Sequence, residues 1–271
     1  VPQDCSVFHS SYYRVPNSQY TGGIVTTVHD FVYERSLGPT MSKIHMLQKK
    51  RAVMASDKIV CISESTRNDL CELYGDHLNG RAVVIPNGVS TDFFTLPSTF
   101  RDHRDVFVGK RGGYKNFKGA VEALAEFPDI RLVIVGGGNL SKEELSSLNS
   151  KIPGRYVHKN DCSNVELNEL FNSSLALIYP SLYEGFGLPI VEAMRAGCPV
   201  IATDSSSVPE VAGSAGLLTK SGSAEEIAQK IRLLFNDQFF ADRVAMGIKQ
   251  ASIFSWDKHF SDLPSVYREV S

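Results

Sequence analysis

Among the 271 residues no apolar run reaches the roughly 18 needed to cross a bilayer as a helix. Cys-x-x-Cys does not occur, and the five cysteines stand apart at 5, 61, 71, 162 and 198. An odd, scattered set suggests neither a disulfide framework nor a zinc site. Cys61 and Cys198 lie in apolar, strand-like surroundings and are expected as core thiols. This usage points to a reducing, cytoplasmic compartment. Val1-Pro2-Gln3-Asp4 lacks Met, a basic start and an apolar core, so no signal peptide is expected there. Net charge is only −2, so no strong field draws the chain to nucleic acid or anionic lipid. Internal repeats and low-complexity tracts are absent too.

What is present is the composition of a soluble globular protein, 42% hydrophobic and 21% charged, long enough for two domains. One stretch organises the rest: Tyr183-Glu184-Gly185-Phe186-Gly187-Leu188-Pro189-Ile190-Val191-Glu192-Ala193. It follows an apolar run, 175–179, that reads as a buried strand. It enters a helix with Pro189 near the first position, where a missing N–H costs little. Strand, glycine turn and helix together aim backbone N–H groups and a helix dipole at one point, which suits a phosphate. A carboxylate beside a pyrophosphate would repel it, so Glu184 and Glu192 suit sugar hydroxyls better. The plain alternative is that Glu184 caps the helix and Glu192 is a solvated helix residue.

Elsewhere the chain alternates strand and helix. Val25–Val28 is β-branched and ends at His29-Asp30; a residue at the end of a parallel strand faces the ligand crevice. Residues 42–55 read as a helix with apolar positions Ile44, Leu47, Val53 and Met54. Strands follow at 58–62 and 81–85, with Ser63 as N-cap of a helix to about Tyr74. A linker runs through Phe93 and Phe94, with Pro97 and Ser98, to about Arg104. The strand 105–108 then leads into Gly109-Lys110-Arg111-Gly112-Gly113-Tyr114-Lys115-Asn116, a basic glycine loop suited to an anion, or else a solvated basic loop. Strands at 129–135 and 156–158 and helices at 142–148, 165–171, 224–235, 239–251 and 257–270 complete the pattern. After the strand 129–135 comes Gly136-x-Gly138-x-x-Ser141, which lacks the third glycine of a dinucleotide loop, so NAD is not expected. Such alternation predicts an α/β fold with parallel sheets.

Ser181-x-x-Glu184-Gly185-Phe186-Gly187-Leu188-Pro189-x-x-Glu192-Ala193-Met194 resembles the donor-site signature of family-4 retaining glycosyltransferases of GT-B fold. The match continues through Gly197-Cys198-Pro199-Val200-Ile201 and Ser207-Val208-Pro209-Glu210-Val211. Val28-His29-Asp30 matches the family's His-Asp loop, and Pro86-Asn87-Gly88-Val89 its exit from the N-terminal domain. The Arg-Gly-Gly-Tyr-Lys-Asn wording is similar to bacterial O-antigen mannosyltransferases. The resemblance covers the chain from about His9 onward. It implies two Rossmann-like domains facing across a cleft, the first incomplete, because the family's glycine-rich first loop has no counterpart. The implied bounds are 1–92 for the partial, acceptor-side domain, 93–255 for the nucleotide-sugar domain, and 256–271 for a helix returning to the first.

The resemblance also implies site roles. His29 and Glu184 become the catalytic candidates. Arg111, Lys115, Gly187 and Leu188 would bind the donor diphosphate. Glu184, Gly185 and Phe186 would hold the donor sugar, Glu192 the ribose, and Lys159 and Asn160 the base. Asp-x-Asp is absent, so no metal and no other cofactor is expected; Arg111, Lys115 and the helix N-terminus would take the metal's place. No nucleophile stands out, consistent with front-side displacement in which the leaving phosphate takes the acceptor proton. The implied activity is retaining transfer of a hexose from a GDP-mannose-type or UDP-sugar donor. The implied acceptor is a glycan or lipid-linked glycan, and peripheral contact with the inner face of the membrane stays open. A missing N-terminal segment or second chain would be a further partner. Two alternatives remain: a non-catalytic sugar-nucleotide-binding fragment and a GT-B nucleotide-sugar 2-epimerase.

Overall fold

The computed structural model describes residues 5–36, 43–97 and 104–271. They form two units. The first runs to Gly88 and takes in Tyr183–Phe186 and Phe254–Ser271; the second holds Val89–Leu182 and Gly187–Ile253. No helix among the described residues is long and apolar enough to cross a membrane.

In the first unit, β1 (Val7–Ser10), β2 (Gly23–Val28), β3 (Lys58–Cys61) and β4 (Ala82–Val84) form a parallel sheet whose order follows the sequence. Val25, Val28, Val60 and Cys61 are fully buried, as expected of β-branched and small apolar residues on a packed sheet. Two helices follow β2, α1 (Val32–Arg35) and α2 (Lys43–Ala55); α3 (Glu64–Tyr74) follows β3. Ser63 caps α3, its hydroxyl accepting the N–H of Thr66 at 3.0 Å. The C-terminal helix, Trp256–Arg268, packs Leu263 and Val266 on Val25, Val60 and Ile85.

Of the four apolar positions expected to anchor α2, only Val53 does. Ile44 and Leu47 are 74% and 67% exposed and Met54 is exposed too, while Lys49, Ala52 and Val53 are buried. The inward face is thus centred on a lysine. Its ammonium sits 2.9 Å from Glu34 Oε2, donates to the Asp30 carbonyl at 2.7 Å, and lies over the Phe31 ring. An ion pair buried this deeply survives only with such extra partners.

The second unit holds β5 (Arg104–Val108), α4 (Phe117–Leu124), β6 (Arg131–Val135), α5 (Lys142–Lys151), β7 (Tyr156–Lys159), α6 (Asn164–Asn172) and β8 (Ala176–Tyr179). It continues with α7 (Leu188–Arg195), β9 (Val200–Thr203), α8 (Val208–Ala212), β10 (Leu217–Thr219), α9 (Ala224–Leu233) and α10 (Asp237–Ala251). All strand pairs are parallel, in the order β10-β9-β8-β5-β6-β7. Its strands β6, β8 and β9 are apolar almost throughout, because helices cover both faces of such a sheet. Phe107, Leu132, Ile134, Ile178 and Ile201 join Ile227 and Ile231 in one core. Ser141 and Ser163 start α5 and α6 with capping boxes closed by Glu144 and Glu166, each worth about 1 kcal/mol.

Three strands, β1, β9 and β10, went unassigned from sequence; none exceeds four residues. Phe93 to Leu96 is docked rather than free. Phe93 is buried beside Phe171, and the N–H groups of Phe94 and Leu96 donate to Asn168 Oδ1 and Asn172 Oδ1. The rest of that expected linker, from Ser98 to residue 103, lies outside the described residues. Asp105 is the anomaly of the core. It is fully buried on β5, opposite Leu132 and Ala176; neither carboxyl oxygen makes a well-formed hydrogen bond, and the Ala176 backbone offers only a weak pull against the effect of burial. Burial pushes its pKa up to about 8.

Candidate functional site

The order of the six-stranded sheet decides where a ligand can enter the second unit. From β5 the chain builds outward through β6 and β7, then returns to β8 on the other side and continues through β9 and β10. That reversal, between β5 and β8, is where parallel sheets leave a crevice beyond their strand ends. The loops after β5 and β8 carry the two stretches singled out from sequence.

After β5 the backbone turns at Gly109 and again at Asn116, whose φ of 50° is left-handed. Asn116 keeps this conformation by donating its amide to the Gly222 carbonyl at 2.8 Å. Between them, the Lys115 ammonium lies 3.3 Å from Tyr179 Oη and 5.2 Å from the ring centres of both Tyr114 and Tyr179. Tyr179 ends β8, so Lys115 stands at the reversal itself.

Arg111 points elsewhere. Its side chain is buried and its guanidinium donates to the carbonyls of Gly136 (2.6 Å), Gly137 (3.3 Å), Gly138 (2.8 Å) and Asn139 (3.0 Å). Its Nε pairs with Glu144 Oε1 at 3.0 Å. Gly136, Gly137 and Gly138 all have φ above 70°, a run that only glycine adopts without strain, and it turns the carbonyls onto the arginine. A Cβ on Gly137 would stand 2.5 Å from the guanidinium. Lys159 ends β7, and its carbonyl accepts the N–H of Gly136; Asn160 donates to Asn139 Oδ1 at 2.9 Å. The structure therefore brings Arg111, Lys159 and Asn160 together around one glycine loop.

After β8, Gly187 with φ 95° is the N-cap of α7, and no side chain caps that helix. Glu184 is thus no cap. Glu192 faces inward from the second turn, half-buried, and burial raises its carboxyl to a pKa of about 7. Neither carboxylate is the solvated residue of the plain alternative.

Tyr183 to Phe186 sit with the first unit, although they lie far past the linker in sequence. The carbonyl of Gly185 accepts from Ser63 Oγ at 2.7 Å and lies 3.2 Å from Thr66 Oγ1. Tyr183 Oη lies 2.5 Å from Asp69 Oδ2 and accepts the Phe31 N–H at 3.1 Å. Phe186 packs edge-on against Phe254. Glu184 is buried between these anchors. Gly185 has no room for a side chain: a Cβ would lie 1.9 Å from the His29 carbonyl oxygen. His29 itself follows β2, half-buried, with Nε2 3.1 Å from the Ser11 carbonyl. So the first unit unites His29 with Glu184, Gly185 and Phe186, and in the second Lys115 stands beside Tyr179 at the end of β8, with Gly187, Leu188 and Glu192 on the turn and helix that follow that strand.

Tyr183, Asp69 and Thr66 were not singled out from sequence. Only Tyr183 carried a signal, its place beside Glu184. Lys49 and Glu144 act through burial and reach, which composition does not report.

Comparisons with known proteins give the family and the fold. Residues 101–251 match the family model for "Glycosyl transferases group 1", and residues 4–93 match that for "Glycosyltransferase Family 4". The chain is 31% identical over 234 residues to an uncharacterized glycosyltransferase of Methanocaldococcus jannaschii, covering 82% of this chain and 62% of that one. It is 38% identical to the O-antigen chain mannosyltransferase B of Escherichia coli, over 97% of this chain and 74% of the relative. The chain therefore spans less than two thirds of the length of the first of these relatives and about three quarters of the second. Sucrose-phosphate synthase from Thermosynechococcus elongatus superposes with a TM-score of 0.83 at 20% identity, covering 97% of this chain and 73% of that one. HepE of Anabaena, in complex with UDP and glucose, gives 0.80 at 19% identity, covering 92% and 72%. With its strand order, its Glu184-to-Glu192 stretch and these matches, the chain belongs to glycosyltransferase family 4, with the GT-B fold.

Proposed function

We propose that the chain transfers a hexose from a nucleotide-diphosphate sugar to a glycan or lipid-linked glycan, with retention of configuration and without a metal or other cofactor. The supporting observation is the placement of Lys115 and the α7 N-terminus on the two loops that flank the order reversal. A diphosphate there meets one ammonium and a helix N-terminus, which together stabilise charge developing on the leaving group. Such preorganised electrostatics is commonly worth about 3 kcal/mol of barrier per donor group. Glu184 accepts hydrogen bonds from the sugar hydroxyls, with Gly185 and Phe186 beside it. Glu192 holds the ribose, and the Lys159–Asn160 segment borders the base. His29 orients the sugar from the acceptor side. Arg111 adds to the diphosphate site only by exchanging its loop carbonyls for phosphate oxygens; otherwise it shapes the loop from behind.

The mannosyltransferase relative makes GDP-mannose the first donor to test, and the UDP-glucose complex of HepE makes UDP-glucose the second. A lipid-linked acceptor would bring the protein to a membrane surface. Thermal-shift titration with both donors, followed by product analysis in excess EDTA, tests the reading. An α-linked product from an α-linked donor, formed with EDTA present, is expected. Loss of product on chelation with recovery on Mg²⁺ overturns the metal-free site. Binding without product leaves a sugar-nucleotide-binding module, and a C2-inverted donor identifies an epimerase.

A further inference from the structure

One face of α3 holds the stretch 183–185 in place. Ser63, Thr66 and Asp69 follow one another at intervals of three, so their side chains share that face. Ser63 and Thr66 address the Gly185 carbonyl, and Asp69 addresses the Tyr183 hydroxyl. The bond directions are determined. Asp69 Oδ1 already accepts Arg35 Nε at 3.1 Å and Nη2 at 2.6 Å, and Arg35 also grips Glu72 at 2.5 and 3.0 Å. Asp69 is therefore a carboxylate that only accepts, so Tyr183 donates to it. The phenol oxygen then accepts the Phe31 N–H, two residues beyond His29. Burial and the adjacent carboxylate both raise the Tyr183 pKa, which keeps the phenol protonated for this role.

We infer that Tyr183 and Asp69 are positioning residues, holding Glu184 and the His29 loop in one fixed register inside the first unit. The inference rests on the transfer function proposed above. Neither residue need touch the donor. Their effect passes through Glu184, pinned on both sides, and through Phe31, which sets the course of the chain leaving His29. The groups assigned to diphosphate and ribose, Lys115 and Glu192, lie in the other unit. Donor binding and sugar positioning are thus carried by separate side chains and should separate in kinetics.

The test uses Tyr183→Phe, Asp69→Asn and the double variant in the full chain, with steady-state kinetics and amide hydrogen exchange. Tyr183→Phe is expected to lower kcat about tenfold or more while donor KM stays within about twofold, the signature of lost orientation rather than lost binding. Exchange should quicken in residues 29–32 and 184–186 together, and stay unchanged in 109–117. The double variant should be no worse than the poorer single variant, because each single change already breaks the Tyr183–Asp69 hydrogen bond. A kcat within twofold of the parent, or faster exchange confined to 184–186, overturns the inference. Should the aspartate variant fail to fold, Thr66→Val removes a hydroxyl from the same face, keeps the Ser63 cap, and carries the same expectations. Should the parent chain transfer no sugar, the proposed function fails, and the exchange pattern alone decides whether the two segments are coupled.

Discussion

His29 Nε2 lies 3.1 Å from the carbonyl oxygen of Ser11. A carbonyl only accepts, so Nε2 carries the proton and Nδ1 of the neutral ring is left as an acceptor. In the proposed site that lone pair suits a sugar hydroxyl. His29→Ala should lower single-turnover transfer at least about tenfold and change donor affinity by less than about 1 kcal/mol. Rapid-quench kinetics beside a donor titration checks this; an equal loss in both would place His29 in donor binding instead.

Lys115 and Arg111 should part company. Lys115→Ala is expected to weaken nucleoside diphosphate binding by about 1.5–3 kcal/mol, the scale of a charge-assisted hydrogen bond, and nucleoside binding much less. Arg111→Ala leaves Glu144 Oε1 and four carbonyls without their donor, so its first effect should be on stability, about 3 kcal/mol. Calorimetric titration and urea unfolding of both variants measure the contrast. Equal losses of diphosphate and nucleoside affinity would remove Lys115 from the phosphate site.

Asp105 gives a signed pH dependence. Its pKa is raised to about 8 in the fold from 3.8, so the native state keeps a proton that the unfolded chain has released. Its contribution to stability is fully present below about pH 4 and declines by about 1.4 kcal/mol per pH unit toward pH 8, then levels off. Asp105→Asn, which cannot ionise, should flatten this slope and make the protein more stable than the parent at pH 8. Urea midpoints at pH 5 and pH 8 decide it; parallel slopes in the two proteins would mean that Asp105 ionises normally.

Glu192 should govern donor affinity near neutrality. Burial raises its pKa to about 7, so the carboxyl is largely protonated at pH 6 and ionised at pH 8. As a carboxylate it accepts ribose hydroxyls more strongly, by about 1–2 kcal/mol. Nucleotide-sugar affinity should therefore rise between pH 6 and pH 8, and Glu192→Gln should be weaker at pH 8 and nearly flat. A sugar nucleotide is the right probe, since its diphosphate does not titrate in this range. A variant that keeps the full pH dependence would clear Glu192 of this role.

The long apolar strands, the Ser63 cap of α3 and the stretch 183–193 were legible in the sequence, because burial period and capping chemistry are local. Short pieces were not: β10 is only Leu217–Thr219 and becomes a strand by pairing with β9. Lys49, between Gln48 and Lys50, reads as solvated. Its burial depends on Phe31 and Glu34, supplied by another helix and loop. Arg111 was legible as a cation in a glycine loop, but its present partners are mostly backbone carbonyls, which every residue type carries. Gly185 was legible as a turn residue. What makes glycine obligatory there is a carbonyl 156 positions earlier in the chain, that of His29.

The first unit draws on both ends of the described chain. His9 on β1 bonds Tyr267 at 2.7 Å, Gly23 leaves no room beside Val270, and Lys58 pairs with Glu269 at 2.5 Å. During synthesis the residues up to Gly88 are therefore made well before the helix that covers Val25 and Val60. At roughly 5–20 residues per second the wait is of order ten seconds or more. The second unit, nearly continuous in sequence, can assemble in that interval, while the earlier strands present their apolar face to whatever binds nascent chains. Mutations at this terminal seam should thus act on the yield of folded protein made in a cell before they act on the turnover of molecules that have matured.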